Sequence, residues 1–275
     1  MKNRALKIIK YAILNVFLII QLMPLVWLFL FSLKDNNQIF NRPAFSLPAP
    51  FVFENYTRVF QNLKIHIYLF NSVIVTVMTM LVTLLFATMA AYACTRMRFK
   101  YGKALIMVFL AGIMIPVHAS LLPLFILFKN IGILNTRWSL IIPYTAFALP
   151  VALFIMTGFL KTLPVELEEA ACIDGCNIYQ VFFRVILPLL KIPLSTIAIF
   201  TFINAWNELM FALTFTTEAG MKTLPVAVMS FQGIYMTDWG PIGAAMLVAT
   251  APTFLIYLFL SEQMQKGMLA GAVKG

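Results

Sequence analysis

Residues 162–191 read TLPVELEEAACIDGCNIYQVFFRVILPLLK and hold four carboxylates within nine residues, between two apolar stretches long enough to cross a bilayer. Pro164, the glutamates of the following turn and two adjacent alanines predict a short helix. Gly175 predicts the end of that helix, because glycine adopts the left-handed backbone conformation that closes helices. Residues 179–185 can form a second short helix, which Pro188 limits. The stretch is therefore predicted to be a compact helix-turn-helix at a membrane surface.

The first of these short helices has a surface suited to a protein partner. Ala170 and Ala171 are expected to leave a flat patch that another protein's backbone can approach closely, and the carboxylates are expected to select basic groups. An ordinary amphipathic loop at the membrane surface is the alternative interpretation, because glutamate and alanine are good helix formers in any context.

The spacing of this stretch resembles the EAA loop of bacterial ABC importer permeases, which reads Glu-Ala-Ala, three residues, Gly, nine residues, Ile, one residue, Leu-Pro. The match starts at Glu169, and Val185 stands at the isoleucine position. We refer to residues 161–191 as the EAA loop. The resemblance implies that this loop is a coupling helix that fits a cleft on a separate ATPase subunit. The residues that it assigns to ATPase coupling are Glu169, Ala170, Ala171, Asp174, Gly175, Leu187 and Pro188.

The composition indicates a membrane protein. Charged residues make up 11% of the chain, against roughly 25% in ordinary soluble domains, and 62% of its residues are hydrophobic. Because about 20 apolar residues span the hydrocarbon, we predict an all-α polytopic membrane protein with six transmembrane helices. This is also the fold that the resemblance implies, that of a type I ABC importer permease. The predicted spans are residues 11–33, 68–94, 104–128, 139–160, 192–214 and 241–261.

These spans divide the chain into three predicted parts. Residues 1–67 hold the N-terminus, the first span and an outside loop, residues 68–262 form the transmembrane core with the EAA loop, and residues 263–275 form a tail. The glycines of the tail argue against a stable helix there. We expect the tail to lie against the ATPase dimer, with a frayed terminus as the alternative.

The basic residues predict the orientation. With the N-terminus inside, the cytoplasmic segments hold thirteen Lys and Arg, which are four before the first span, four in residues 95–103, three in the EAA loop and two in the tail. The outside segments hold the other seven of the 20. Positive residues are retained on the cytoplasmic side, so both termini are predicted to be cytoplasmic. The net charge of +10 therefore orients the chain and does not indicate nucleic-acid binding.

Several function classes are excluded by what the sequence lacks. It contains no Gly-rich loop ending in Lys-Ser/Thr, so the chain has no phosphate cradle of its own for ATP. It has two histidines and no His-Glu-x-x-His helix, so we predict no catalytic set and no enzyme. Cys94, Cys172 and Cys176 are expected to be reduced and to bind no metal, and no cofactor is predicted.

The fifth predicted span carries a carboxylate at membrane depth, in the run TFINAWNELMF. Thr201, Asn204 and Glu208 follow helical spacing with Asn207 beside them, so this polar stripe is predicted to face the bundle or a wet path. Trp206 lies about 160° from Glu208 around a helix and is predicted to face elsewhere. The stripe is either hydrogen-bonding glue between helices or a set of solute-contacting residues.

Three other spans carry polar groups or prolines. The second span has a continuous face of small residues, which is either a packing seam or pore lining; its members are Ser72, Thr76, Thr79, Thr83, Ala87, Ala90 and Cys94. Prolines at 116 and 123 in the third span, and at 143 and 150 in the fourth, predict bends. His118 is predicted to donate a hydrogen bond between helices, with a proton relay as the alternative.

Further residues resemble the carbohydrate-uptake branch of these permeases: Trp-Asn-Glu at 206–208, LPVAV at 224–228, TDWG at 237–240 and GAVKG at 271–275. This resemblance implies a bacterial cell-membrane permease that pairs with a second permease, two ATP-binding subunits and an extracellular solute-binding protein, and transports a sugar-like solute. The alternatives are a proton-coupled secondary transporter, uptake of a non-sugar solute such as a glycerol phosphate, and a membrane scaffold.

Overall fold

The computed structural model describes residues 2–97, 99–231 and 237–272. Regular structure within these ranges is helical, and they contain no strand. The α-helices are α1 Lys2–Ser32, α2 Asn36–Asn41, α3 Glu54–Thr57, α4 Ile65–Arg96, α5 Gly102–Ala111, α6 Leu121–Asn130, α7 Trp138–Leu160, α8 Glu166–Ile173, α9 Ile178–Gln180, α10 Leu187–Leu189, α11 Lys191–Asn207, α12 Met210–Phe215, α13 Leu224–Ser230 and α14 Trp239–Ala272.

Within the described ranges, four helical stretches are long and apolar enough to cross a membrane unbroken; they are Leu6–Ser32 in α1, α4, α7 and Trp239–Phe259 in α14. Two bent pairs of helices meet the same criterion when each pair is taken together. Gly102–Met114 and Val117–Asn130 meet at 92°, and Ile178–Leu189 and Lys191–Asn207 meet at 73°. With each bent pair taken as one span, the count is six. The prediction of an all-α chain with several membrane-spanning helices is therefore confirmed.

Prolines have different effects in the third and fourth spans. The third span breaks at Ile115 and Pro116, which have extended backbone conformations, as the sequence predicted. Pro143 and Pro150 lie inside α7, which continues as one α-helix of 23 residues. Membrane helices tolerate proline where neighbouring groups satisfy the freed carbonyls, and both prolines of α7 are buried.

The fifth span departs from its prediction. Residues 192–214 were expected to form one helix, but α11 ends at Asn207 and α12 begins at Met210. Glu208 takes an extended backbone conformation between them, with ψ of 127°. The prediction of an uninterrupted helix is wrong because Glu208 uses its side chain to cap the next helix instead of lying on the face of α11.

The tail also differs from its prediction. Glycines at 267 and 271 were expected to prevent a stable helix, yet α14 continues to Ala272. Each helical glycine costs only about 1 kcal/mol relative to alanine, and the residues between them include strong helix formers. Residues 273–275 of the predicted tail lie outside the described residues.

The chain forms two compact units, Met1–Ile67 with Ala227–Pro252, and Tyr68–Val226 with Thr253–Gly275. In the first unit the loop after α1 is held by side-chain amides. The Asn55 amide donates to the carbonyls of Ser32 and Lys34, at 2.9 Å each. A Cβ on Gly240 would lie 2.5 Å from the Lys34 carbonyl oxygen, so only glycine fits there without movement.

Lys34 is a buried cation of this first unit. Its Nζ donates to the Ala44 carbonyl at 3.0 Å and to the Ser46 hydroxyl at 3.2 Å, both neutral acceptors. Burial, with a smaller contribution from the charge of Arg42, lowers the pKa of Lys34 from its ordinary value. Lys34 thus holds the loop after α1 in place through hydrogen bonds, and no carboxylate among the described residues pairs with it.

Candidate functional site

The EAA loop begins with α8, whose end is set by Gly175. Glu166, Glu168 and Glu169 all lie in the first turn, where the helix dipole favours negative charge. Gly175 has φ of +83°, so the prediction of a left-handed helix end is confirmed. The amides of Gly175 and Cys176 donate to the carbonyls of Cys172 and Ala171, each at 3.0 Å, which is the Schellman pattern of helix termination.

The second half of the loop is helical from Ile178 to Leu189, with π-helical geometry over Val181–Ile186. Its start is fixed by a capping box in which Asn177 and Gln180 exchange backbone and side-chain hydrogen bonds of 2.8 and 2.9 Å. The Asn-x-x-Gln spacing that signals this cap was not used in the sequence analysis. The left-handed ending at Gly175 and the capping box of Asn177 and Gln180 therefore determine the turn between the two short helices.

One face of the EAA loop packs into the helical bundle. Ala171, Phe182 and Ile186 are buried in the same apolar cluster as Met156 and Leu160 of α7. The prediction of a flat exposed patch made by both alanines is wrong for Ala171, since only 7% of its surface is exposed. Its small side chain instead allows α8 to approach the bundle closely.

The opposite face of the loop is exposed. Glu169, Ala170, Asp174 and Gly175 are all exposed, as is Pro188, while Leu187 is half-buried. Two large apolar side chains stand beside them, with Ile173 86% and Tyr179 73% exposed. Exposed apolar groups next to carboxylates on one surface are typical of a protein-binding site.

A cluster formed by Arg96, Glu168 and Tyr92, here called the Arg96 cluster, joins α4 to α8. The Arg96 Nη2 donates to the carbonyls of Leu160 and Leu163, both at 2.6 Å, at the end of α7. Its Nε lies 3.2 Å from the Glu168 Oε1, as an ion pair without hydrogen-bond alignment. The Tyr92 hydroxyl donates to the Glu168 Oε2 at 3.2 Å.

The Arg96 cluster is largely shielded from solvent. The exposed fraction of the side chain is 8% for Arg96 and 15% for Glu168. Sequence reasoning counted Arg96 only as an orienting charge and did not single out Glu168. The sequence feature that could have predicted this cluster is an arginine in the last turn of a span, together with a carboxylate in the acidic loop that follows. A charge pair buried in this way holds three chain segments in one arrangement.

All four residues of the predicted polar stripe line one cavity of about 670 Å³. Thr201, Asn204 and Asn207 come from α11, and Glu208 follows them. Thr79, His118 and Tyr144 are further polar groups of the same lining; the sequence analysis had placed Thr79 on the small-residue face and His118 between helices, and had not singled out Tyr144. The spacing of polar residues therefore located a common cavity.

Glu208 connects this cavity to α12 and α7. Its Oε1 accepts from the Phe211 amide at 2.8 Å, and its Oε2 accepts from the Ala212 amide at 3.2 Å. The Tyr144 hydroxyl donates to Oε2 at 2.5 Å. The carboxylate thus caps the amide-bearing end of α12 and accepts a hydrogen bond from a facing helix.

Trp206 and His118 occupy different surroundings from Glu208. Trp206 is 3% exposed, stacks on Phe202 and does not line the cavity, as its helical position predicted. His118 borders the cavity with its ring 6.3 Å from that of Phe211. The expected interhelical hydrogen bond from His118 is absent from the contacts of the described residues.

A second, separate cavity of about 70 Å³ lies beside the first, between α7 and α11. The two cavities share Phe147, Ala148, Thr201 and Asn204. The smaller one extends to Ile155 and Ile197, towards the ends of α7 and α11 that the EAA loop connects. The helices α7 and α11, which line both cavities, are therefore also the two helices that the EAA loop joins.

Comparisons with known proteins identify the family of this chain. Residues 83–269 match the family described as "Binding-protein-dependent transport system inner membrane component". The probable ABC transporter permease protein YurM of Bacillus subtilis is 35% identical over 96% of this chain and 88% of its own length. The trehalose/maltose transport system permease protein MalG of Thermococcus litoralis is 36% identical over 94% of this chain and 93% of its own.

Solved structures share the fold. A chain of a bacterial ABC transporter involved in import of the acidic polysaccharide alginate superposes with a TM-score of 0.81 at 21% identity, covering 96% of this chain and 98% of that one. The match to the family model covers well over half of the residues, and the relatives align over nearly their full lengths. The chain therefore belongs to the binding-protein-dependent transport system inner membrane components, the non-catalytic permease subunits of ABC importers whose ATP is hydrolysed by separate subunits.

Proposed function

We propose that this permease forms the solute path at the cavity beside Glu208 and receives the motion of an ATPase through the exposed face of the EAA loop. The observation that carries the proposal is that α7 and α11, the two helices joined by the EAA loop, line both cavities. Movement of the loop would then act on the same two helices that line the cavity.

The exposed face of the loop supports an ATPase as its partner. Carboxylates at Glu166, Glu169 and Asp174 stand around exposed Ala170 and beside Ile173. Such a surface suits a cleft with an apolar floor and basic groups at its rim. The buried opposite face transmits force, because its side chains are packed against α7.

The solute is proposed to be a sugar or a related compound. Relatives named for trehalose/maltose and for diacetylchitobiose uptake are 36% and 33% identical to this chain. The polar lining of asparagine, threonine and tyrosine suits hydroxyl groups. A proton-coupled transporter is not favoured, since the family and its relatives are ABC importer components.

The partners follow from the family and its structural neighbours. A bacterial alginate ABC transporter was solved in complex with a pentasaccharide-bound periplasmic protein, and one of its chains has a TM-score of 0.63 with this one. We propose the same type of assembly here: a second permease, two ATP-binding subunits and an extracellular solute-binding protein, in a bacterial cell membrane. The end of α14 is proposed to lie near the ATP-binding subunits.

Both termini and the EAA loop are proposed to face the cytoplasm. A membrane-impermeant thiol reagent added to intact cells should label Glu54→Cys and Glu218→Cys, but not Lys100→Cys or Gly175→Cys. All four positions are exposed in the structure, whereas Asn55 is buried and would report poorly. External labelling of Gly175→Cys in intact cells would contradict the proposed orientation and the assignment of an ATPase as partner of the EAA loop.

Replacing Gly175 by valine should uncouple the transporter without unfolding it. The Cβ would meet no atom within 4 Å, so the cost is confined to the left-handed backbone, at about 1–2 kcal/mol. That strain shifts the exposed face relative to its partner. We expect the solute-stimulated ATP hydrolysis of the purified complex to fall severalfold.

The matched controls for this prediction are Gly158→Val and Gly175→Asn. Gly158 is also exposed with open space around it, but it lies inside α7 with helical backbone. Asparagine tolerates left-handed conformations better than valine. Both controls should retain stimulated hydrolysis, and equal hydrolysis by Gly175→Val would refute the coupling role of this turn.

A further inference from the structure

Three threonines on one face of α4 bury their hydroxyls without a hydrogen-bond partner. Thr76, Thr79 and Thr83 are 1%, 0% and 0% exposed, and their Oγ1 atoms have no partner among the described residues. Other threonines of the same helix behave differently. The hydroxyl of Thr88 donates to the Leu84 carbonyl at 2.6 Å, and that of Thr95 to the Ala91 carbonyl at 2.7 Å.

The unpartnered hydroxyls are costly if the face serves only for packing. A buried hydroxyl that makes no hydrogen bond costs roughly 1–3 kcal/mol, and alanine or valine would pack there without that cost. A helix provides its own acceptors for threonine, as Thr88 demonstrates. Three adjacent exceptions on one face leave these hydroxyls available to bind a further group.

The row connects directly to the large cavity. Thr79 lines that cavity together with Thr201 and Asn204 of α11. From Thr76 to Thr83 the row covers about 10 Å of helix, at 1.5 Å per residue. Thr76 and Thr83 thus lie about one helical turn to either side of the cavity-lining Thr79.

We propose that Thr76, Thr79 and Thr83 bind the hydroxyl groups of an uncharged, polyhydroxylated solute as it moves along α4. This inference rests on the proposed solute path. Threonine hydroxyls both donate and accept, and so do the hydroxyls of a sugar. Successive residues of the row offer equivalent contacts, which allows the solute to move without a single tight site.

The charge of the cavity supports an uncharged solute. Glu208 is the only Asp, Glu, Lys or Arg among the described residues that line it. Its two oxygens already accept three hydrogen bonds, and the described lining holds no lysine or arginine; its one histidine, His118, lies with its ring 6.3 Å from that of Phe211. A carboxylate, sulfonate or phosphate on the solute would be repelled by Glu208 in a medium of low dielectric constant.

The test uses the complete transporter, purified with its partner subunits, after replacement of the three native cysteines by serine. Thr79→Cys, Thr83→Cys and Asn204→Cys are each treated with neutral hydroxyethyl methanethiosulfonate, in the nucleotide-free state and after trapping with ATP and vanadate. Ala87→Cys is the matched control, because Ala87 lies on α4 with 0% exposure inside an apolar cluster.

We expect Thr79→Cys and Thr83→Cys to react at least tenfold faster than Ala87→Cys in one of the two states. If Thr83→Cys is as slow as Ala87→Cys in both states while Asn204→Cys reacts, the hydroxyl row is refuted and the cavity path stands. If Asn204→Cys is also unreactive in both states, the proposed path itself fails.

Solute charge is tested with the same variants. Anionic sulfonatoethyl methanethiosulfonate should react with Asn204→Cys at least tenfold more slowly than the neutral reagent, relative to the rates of both with free cysteine. Equal relative rates would overturn the selection against anions. The melting temperature of the complex is an independent measurement. Thr83→Val should leave the melting temperature unchanged or raise it, whereas Thr88→Val should lower it. A lower value for Thr83→Val alone would indicate a packing role and refute the proposal.

Discussion

Replacing Arg96 by alanine is expected to abolish solute uptake and to destabilise the permease by roughly 3–5 kcal/mol, the usual cost of removing one partner from a buried ion pair. The carboxylate of Glu168 would remain shielded from solvent without its cation, and the carbonyls of Leu160 and Leu163 would lose their donor. The measurements are the melting temperature of the purified complex and uptake into cells at equal amounts of membrane-inserted protein.

Lys100→Ala is the matched control for Arg96→Ala. Both changes remove one positive charge from residues 95–103, but Arg96 ends α4 and is shielded from solvent, whereas Lys100 is exposed. If Arg96 only orients the chain, both variants should have the same small effect. A double variant, Arg96→Met with Glu168→Met, should recover part of the lost stability, because it removes the unpaired carboxylate while the carbonyls of Leu160 and Leu163 still lack their donor. Normal uptake and stability in Arg96→Ala would contradict a role for the Arg96 cluster.

Replacing Glu208 by alanine should also have a large effect. The change removes all three hydrogen bonds that the carboxylate accepts, from Tyr144, Phe211 and Ala212. Hydrogen bonds to a charged group contribute about 1.5–3 kcal/mol each, and α12 would lose its cap. We expect a lower melting temperature and loss of uptake.

Glu208→Gln and Tyr144→Phe should each reduce stability and uptake less than Glu208→Ala does. Glutamine has one acceptor oxygen in place of two, so it preserves the shape of the side chain and only part of the cap. Tyr144→Phe removes a single hydrogen bond and leaves both amides of α12 capped. The loss of stability and uptake should be smallest in Tyr144→Phe, larger in Glu208→Gln and largest in Glu208→Ala. Unchanged stability in Glu208→Ala would refute the capping role.

Local features of the fold were predictable from the sequence. Gly175 ends α8 in a left-handed turn because few other residues adopt that backbone cheaply. The spans were recognised from apolar length alone. The polar stripe of the fifth span located the cavity, since three of its residues lie on α11.

Features that depend on distant partners were not predictable. Glu208 breaks the fifth span because two amides of α12 and the Tyr144 hydroxyl of α7 satisfy its carboxylate. Arg96 is not simply a topological charge, because its contacts lie 64 to 72 residues further along the chain. Ala171 turned inwards because the bundle, not the helix, determines which face is buried.

Dependence of uptake on ATP, rather than on a proton gradient, tests the central claim most directly. The permease, its partner subunits and the solute-binding protein are reconstituted in proteoliposomes with ATP inside and no proton gradient, and then with a proton gradient and no ATP. We predict uptake in the first condition, abolished by vanadate, and none in the second. Uptake driven by the proton gradient without ATP would contradict the assignment as a permease subunit of an ABC importer.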